Sequence, residues 1–225
     1  MKKLFAFLVC ALCAFMLFAC TADVKIDDGK NDKNPQQQEG DQNQGNQQQG
    51  DQTSDLDKAL DSKYKGLAKD KKFYLTTIGQ ADVDKVQSLL DDFDLEDGED
   101  YTKKNNLTAS EVEDGAVVFL VIGTSGKGLG AAGTDLNGEK KRANDFIAKE
   151  GITLVVFHVG GLDRRGDTTD PIIEIVCPKA SLLLVVNTAN NDNKFTNIAK
   201  DNNVDLYLFS KTSKMSAAVK TLLDK

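Results

Sequence analysis

"AVVFLVIG", residues 116–123, is a run of seven apolar residues that closes on a glycine. A strand with one wet face alternates polar and apolar residues. A strand with no polar residue has both faces covered, as in a parallel sheet flanked by helices. "ITLVVFHVGG" (152–161) and "SLLLVVN" (181–187) repeat the pattern, and "KFYLTTIG" (72–79) and "VDLYLFS" (204–210) read as further strands. "EDYT" (99–102) reads as a short edge strand. Between these runs the apolar spacing changes to that of helices. Val83, Val86, Leu89, Leu90 and Phe93 form one such set, and Ala143, Phe146 and Ile147 another, ending at Gly151. Asp170-Pro171 opens "PIIEIVC" as a cap followed by a first-turn proline. "NKFTNIAKDN" (193–202) and the Met215, Ala218, Val219, Leu222 set supply two more helices. Leu56, Leu60, Tyr64 and Leu67 predict a short leading helix.

Strands alternating with helices, joined by right-handed crossovers, predict an α/β fold. The expected form is a Rossmann-like (flavodoxin-like) doubly wound sandwich on a mostly parallel sheet of five or six strands.

The N-terminus has a different character. Lys2 and Lys3 precede an uncharged apolar stretch, Leu4–Phe18. That stretch is too short to span a bilayer comfortably and fits the core of a signal peptide. It ends in Leu17-Phe18-Ala19-Cys20, which resembles the lipobox of bacterial lipoproteins. The resemblance implies removal of residues 1–19 and a lipid on Cys20, anchoring the chain to a membrane in the bacterial cell envelope. Cys10 and Cys13 would leave with the leader, so Cys177 is the one cysteine of the body and no internal disulfide is expected.

Residues 20–55 follow as a linker rich in Gln, Asn, Asp and Gly, with little to bury. A flexible chain of that length has a root-mean-square span of about 30 Å. Residues 56–225 are read as a single domain, long enough for a core of its own.

The net charge of −7 excludes a general attraction to nucleic acid. One histidine and one body cysteine make a zinc site of ordinary composition unlooked-for, and no cofactor or metal is expected.

In a doubly wound sheet, ligands bind beyond the carboxyl ends of the strands. The residues there are Gly79 and Gln80; Gly123, Thr124, Ser125, Gly126, Lys127, Gly128 and Gly130; His158, Gly160, Gly161, Arg164 and Arg165; and Asn187. The stretch 123–133 holds five glycines in eleven residues and reads as a glycine-rich loop. It is not a Walker A loop, because Lys127 is followed by Gly128. Gly128–Gly133 fits G-x-G-x-x-G, but begins five residues past Gly123, and the next strand ends in His158 rather than an acid. Gly123–Lys127 falls short of a nucleophile elbow at its last position. What remains is backbone N–H groups able to face an anion, with Thr124, Ser125 and Lys127 as added donors. Arg164 and Arg165, two of only three arginines, offer planar recognition of phosphate or carboxylate, although Asp163 and Asp167 flank them.

"GTSGKGLGAAG" (123–133) followed by "HVGGLDRRG" (158–166) resembles a family of bacterial exported proteins known as domain of unknown function 6305. The likeness covers about residues 72–223. It implies a Rossmann-like sandwich and supplies no catalytic residue.

Three functions are therefore open: a membrane-tethered module binding a small anionic or polar ligand, an enzyme on a phosphorylated or carboxylated metabolite, and a lipoprotein that contacts an envelope protein partner. No catalytic residue is expected, since no nucleophile–base pair is evident.

Overall fold

The computed structural model describes residues 55–225, which lie in one compact unit. The expected signal peptide, Cys20 and nearly all of the expected linker fall outside the described residues. Six strands are β1 (Phe73–Ile78), β2 (Thr102–Lys103), β3 (Val117–Ile122), β4 (Thr153–His158), β5 (Leu182–Val186) and β6 (Leu206–Phe209). The helices are α1 (Val83–Asp91), α2 (Gly126–Ala131), α3 (Leu136–Ala148), α4 (Asp170–Val176), α5 (Lys194–Asn202) and α6 (Ser216–Leu223). The strands form one sheet in the order β2-β1-β3-β4-β5-β6, and every neighbouring pair is parallel. The fold is the doubly wound α/β sandwich that the apolar runs predict.

Alternation along the strands divides the core in two. Phe73, Leu75, Phe119, Val121, Phe157 and Leu184 face one side, under Val86 and Leu90 of α1 and Val219 and Leu222 of α6. Tyr74, Ile78, Leu120, Ile122, Val156 and Leu183 face the other, under Phe146 of α3, Ile173 of α4 and Phe195 of α5. Both faces are thus dry, which explains why the central strands carry no exposed polar positions.

The chain moves from β1 outward to β2, then returns across β1 to β3 and continues the other way. The reversal leaves a switch point between β1 and β3, where connections leave toward opposite faces of the sheet. The two strands run in register to their last residues, Ile78 against Ile122. Gly79 and Gly123 therefore emerge side by side.

Two local expectations are corrected. The Leu56–Leu67 segment is no α-helix; it holds a single 3-10 turn at Ser62–Tyr64. Leu60 and Tyr64 are buried as the spacing implied, but the backbone bonds outward. The Asp57 N–H donates to Leu208 O at 2.9 Å and the Gly66 N–H to Thr221 O at 2.9 Å. Asp57 and Gly66 also hold positive φ, 57° and 69°, which no helix interior allows. The segment is an irregular strap that runs from the β6 edge at Leu208 to α6 at Thr221. Second, residues 126–131 of the glycine stretch are helical rather than a loop. The Ser125 hydroxyl accepts the Gly128 N–H at 3.2 Å and caps the turn. Gly128 lies so close to the Gln80 carbonyl that a Cβ there would overlap it.

Candidate functional site

The site is built around the turn that leaves β1. Gly79, Gln80 and Asp82 all have positive φ, at 96°, 62° and 62°. Two non-glycine residues in that region within three positions store strain, which persists only where neighbours over-determine it. Here they do. Gly123 N–H donates to Ile78 O at 3.1 Å and Ser125 N–H to Gly79 O at 2.9 Å, and Gln80 forms an antiparallel bridge with Thr124. A Cβ on Gly79 would overlap the Gly123 carbonyl.

Beneath the turn lies an ion pair that the sequence reading passed over. Glu139 of α3 is buried; its carboxylate accepts the Gly79 N–H at 2.6 Å, the Gln80 side-chain amide at 3.2 Å and Arg142 Nη2 at 2.8 Å. Arg142 in turn donates to the carbonyls of Asn105 at 2.6 Å, Leu107 at 3.2 Å and Thr77. The pair ties the end of β1 and the segment after β2 to α3. A signal for it was present. Positions 139, 143 and 146 share one helical face, so the buried stripe of Ala143 and Phe146 runs back onto Glu139.

Over the same junction the two arginines separate in role. Arg165 is almost wholly enclosed. It meets Asp170 through Nε at 2.7 Å and Nη2 at 3.0 Å, Asp192 at 3.2 and 2.8 Å, and the Ala189 carbonyl; its guanidinium carbon stands 5.6 Å from the Phe195 ring centroid. The guanidinium holds the Asp170 carboxyl down at about 2, and the hydrogen bond to that carboxylate pushes the Arg165 pKa up. All of its donors are engaged inside the protein, so Arg165 fixes the loop rather than facing solvent. Arg164 is different. Its side chain is 38% exposed, and Nε is held at 3.1 Å by Asp82, itself only 4% exposed. Its two terminal nitrogens make no hydrogen bond among the described residues. Lys85 also reaches Asp82, at 2.9 Å. Gly160 makes this possible, since a Cβ there would overlap the Arg164 stem and stand 2.6 Å from the Asp82 carboxylate. Gly123 lies beneath both.

His158 is corrected as a ligand contact. It is fully buried, with Nδ1 3.0 Å from Ile122 O and Nε2 3.2 Å from Gly161 O. Burial lowers its pKa. A neutral ring carries one N–H and donates to one of those two carbonyls, and both nitrogens are turned to the backbone and away from solvent.

The remaining residues fall into two groups. Gly79, Gln80, Gly123, Thr124, Ser125 and Gly128 gather at the switch point. Thr124 is engaged there: its N–H donates to Thr169 Oγ1 at 3.0 Å and its hydroxyl to Thr168 O at 3.2 Å. Gly126, Lys127 and Gly130 are exposed on α2. Gly161 contacts the turn at Asn187–Asn190 beyond β5. Asn187 itself stands two strands from β3, or about 10 Å, and does not join the switch-point group. Cys177 is buried, and burial pushes its thiol up, away from the reactive range. Among the described residues no three His, Cys, Asp or Glu side chains are grouped to hold a metal ion.

No curated protein and no solved structure matches the chain. A family model described as "Domain of unknown function (DUF6305)" matches residues 70–223, which takes in the whole sheet and both glycine motifs. This chain belongs to the DUF6305 family.

Proposed function

We propose that this protein is a lipid-anchored protein of the bacterial cell envelope whose α/β domain captures a small anionic ligand at the β1/β3 switch point. Arg164 carries the reading. A guanidinium clamped through Nε to a buried carboxylate, with both ends left open, is oriented before any ligand arrives. Such a group recognises phosphate or carboxylate through paired N–H donors with little ordering cost. Asp82 is shared between Arg164 and Lys85, so the cluster keeps a net positive charge in an otherwise acidic chain. Lys127, exposed on α2, is a third cation beyond the same strand ends. Arg165, Glu139 and Arg142 hold the frame.

A thermal-shift panel of phosphate, nucleotides and di- and tricarboxylates on the full-length protein tests this. A ligand at a hundred times its Kd adds about 2.7 kcal/mol, or roughly 5–10 °C for a domain of this size. One anion class should raise the melting temperature of wild type and not of Arg164→Ala. Equal shifts in both proteins would remove Arg164 from the site, and no shift across the panel would overturn the anion reading. The anchor has its own test: labelled palmitate should enter the wild-type chain in cells and not Cys20→Ser.

A second reading rests on Leu162, 58% exposed on the turn that carries Arg164. A large apolar side chain held out on a braced turn suits an envelope protein partner. Capture of a partner by wild type and not by Leu162→Ser, with no effect of small anions, would favour it.

A further inference from the structure

We infer that α2 is a lid over the switch-point junction, opening and closing by melting and re-forming its single helical segment between Ser125 and Gly133.

The reason lies in what fastens the helix. None of its six residues is buried, whereas α1 buries four and α6 four. Tertiary burial is what stabilises most short helices in proteins, and a six-residue helix has little stability of its own. Three of the six residues are glycine, and each lowers helix formation about five-fold relative to alanine. Gly128 has a steric reason, the Gln80 carbonyl pressed against it. Gly126 and Gly130 have none. A Cβ at either would meet nothing within 4 Å, and neither has positive φ. Alanine fits at both, so what glycine supplies there is backbone freedom.

Both ends are suited to hinge. Ser125 is anchored to the turn after β1 through its N–H on Gly79 O, 2.9 Å. Gly133 has φ +65° with open space around it. Between them the helix rests, through Gly128, on the strained turn that also carries Asp82 and hence Arg164. Lys127 is exposed on α2 and makes no ion pair among the described residues. Closure would hold this cation over the junction and opening would withdraw it. The gating role rests on the anion reading above; the melting does not.

Amide hydrogen exchange on the full-length protein separates the two. The amides of Leu129 and Ala132, bonded to Ser125 O and Gly128 O, should exchange about a hundred-fold or more faster than those of β3, as a locally opening unit does. Gly126→Ala/Gly130→Ala should slow them about 25-fold, five-fold per site, with β3 unchanged. Ser125→Ala, which removes the cap, should speed them about five-fold. Exchange of α2 at the β3 rate, or no response to these substitutions, would overturn the lid. Inorganic phosphate then tests gating. If it binds wild type, its association should slow by the same 25-fold in the double variant; an unchanged rate would show that α2 does not gate. If it does not bind, exchange alone decides the melting, and the failure belongs to the anion reading.

Discussion

The Glu139 carboxylate accepts the backbone N–H of Gly79 at 2.6 Å, so a side chain on α3 sets the conformation of the turn that leaves β1. Glu139 is 3% exposed and its partner Arg142 11%. Removing one member of such a pair strands a buried charge and costs about 3–5 kcal/mol. Glu139→Ala should lose that much in denaturant unfolding. Glu139→Gln, which can still accept from Gly79, should lose less.

Gly79 and Gly160 should be intolerant for different reasons. Gly79→Ala meets both a positive φ and the Gly123 carbonyl, and should destabilise by roughly 3 kcal/mol or more. Gly160→Ala has an ordinary φ and instead displaces Arg164 from Asp82. It should retain most of its melting temperature and lose the anion response with Arg164→Ala.

Acid stability should depend on Arg165. Asp170 is held at about 2 by that guanidinium, against about 3.9 in an unfolded chain. A depressed folded pKa gives stability that is present above the unfolded value and is lost as pH falls toward the folded one. The contribution should therefore disappear between about pH 4 and pH 2. In Arg165→Met the contribution should already be missing at neutral pH, so the stability deficit against wild type should shrink as pH falls from about 4 to 2.

His158 acts in a higher window. Its folded pKa is depressed by burial, below about 6.5 for an unfolded histidine. As pH falls through 6.5 the unfolded chain takes up a proton that the folded one refuses, so stability declines below that point. Comparison of His158→Asn with wild type between pH 7.5 and 5 should show the slope only in wild type.

The strap should keep the sheet edge from pairing. Leu56 bridges Leu208 and Asp57 occupies the Leu208 carbonyl, so part of the β6 edge is already satisfied. Open edges invite pairing with other chains. Deleting residues 55–61 should shift the protein toward dimers or larger species in sedimentation.

The sheet was legible in the sequence because strands buried on both faces cannot hide: Val117–Ile122 and Leu182–Val186 carry no polar residue. The switch-point loops were legible for the same reason, since each begins where an apolar run stops. Two kinds of information were not. Leu56, Leu60, Tyr64 and Leu67 have helical spacing, yet a period reports which side chains are buried and not where the backbone bonds. Here Asp57 and Gly66 bond to Leu208 and Thr221, and only short 3-10-type bonds join the residues between them. Glu139 and Arg142 sit in a charged stretch, "NGEKKRAND", where the helical period shows that Glu139 shares the buried face but not what neutralises it. Burial of charge depends on partners distant in sequence, here Gly79, Asn105 and Leu107. Arg164 and Arg165 are chemically identical neighbours, and only the position of Asp82, Asp170 and Asp192 divides brace from open donor.

The strap also has a mechanical meaning. Asp57 grips Ser210 through its N–H at 2.8 Å and its hydroxyl at 2.7 Å, just past the end of β6. A pull on the chain ahead of Asp55 loads these two bonds and the Leu56–Leu208 bridge before it reaches Tyr64, which is fastened to Asp205 at 2.5 Å. The outer fastenings are exposed and few, so under such a pull they should give way first and free several residues. The six strands, and the junction between Gly79 and Gly123, are spared the load.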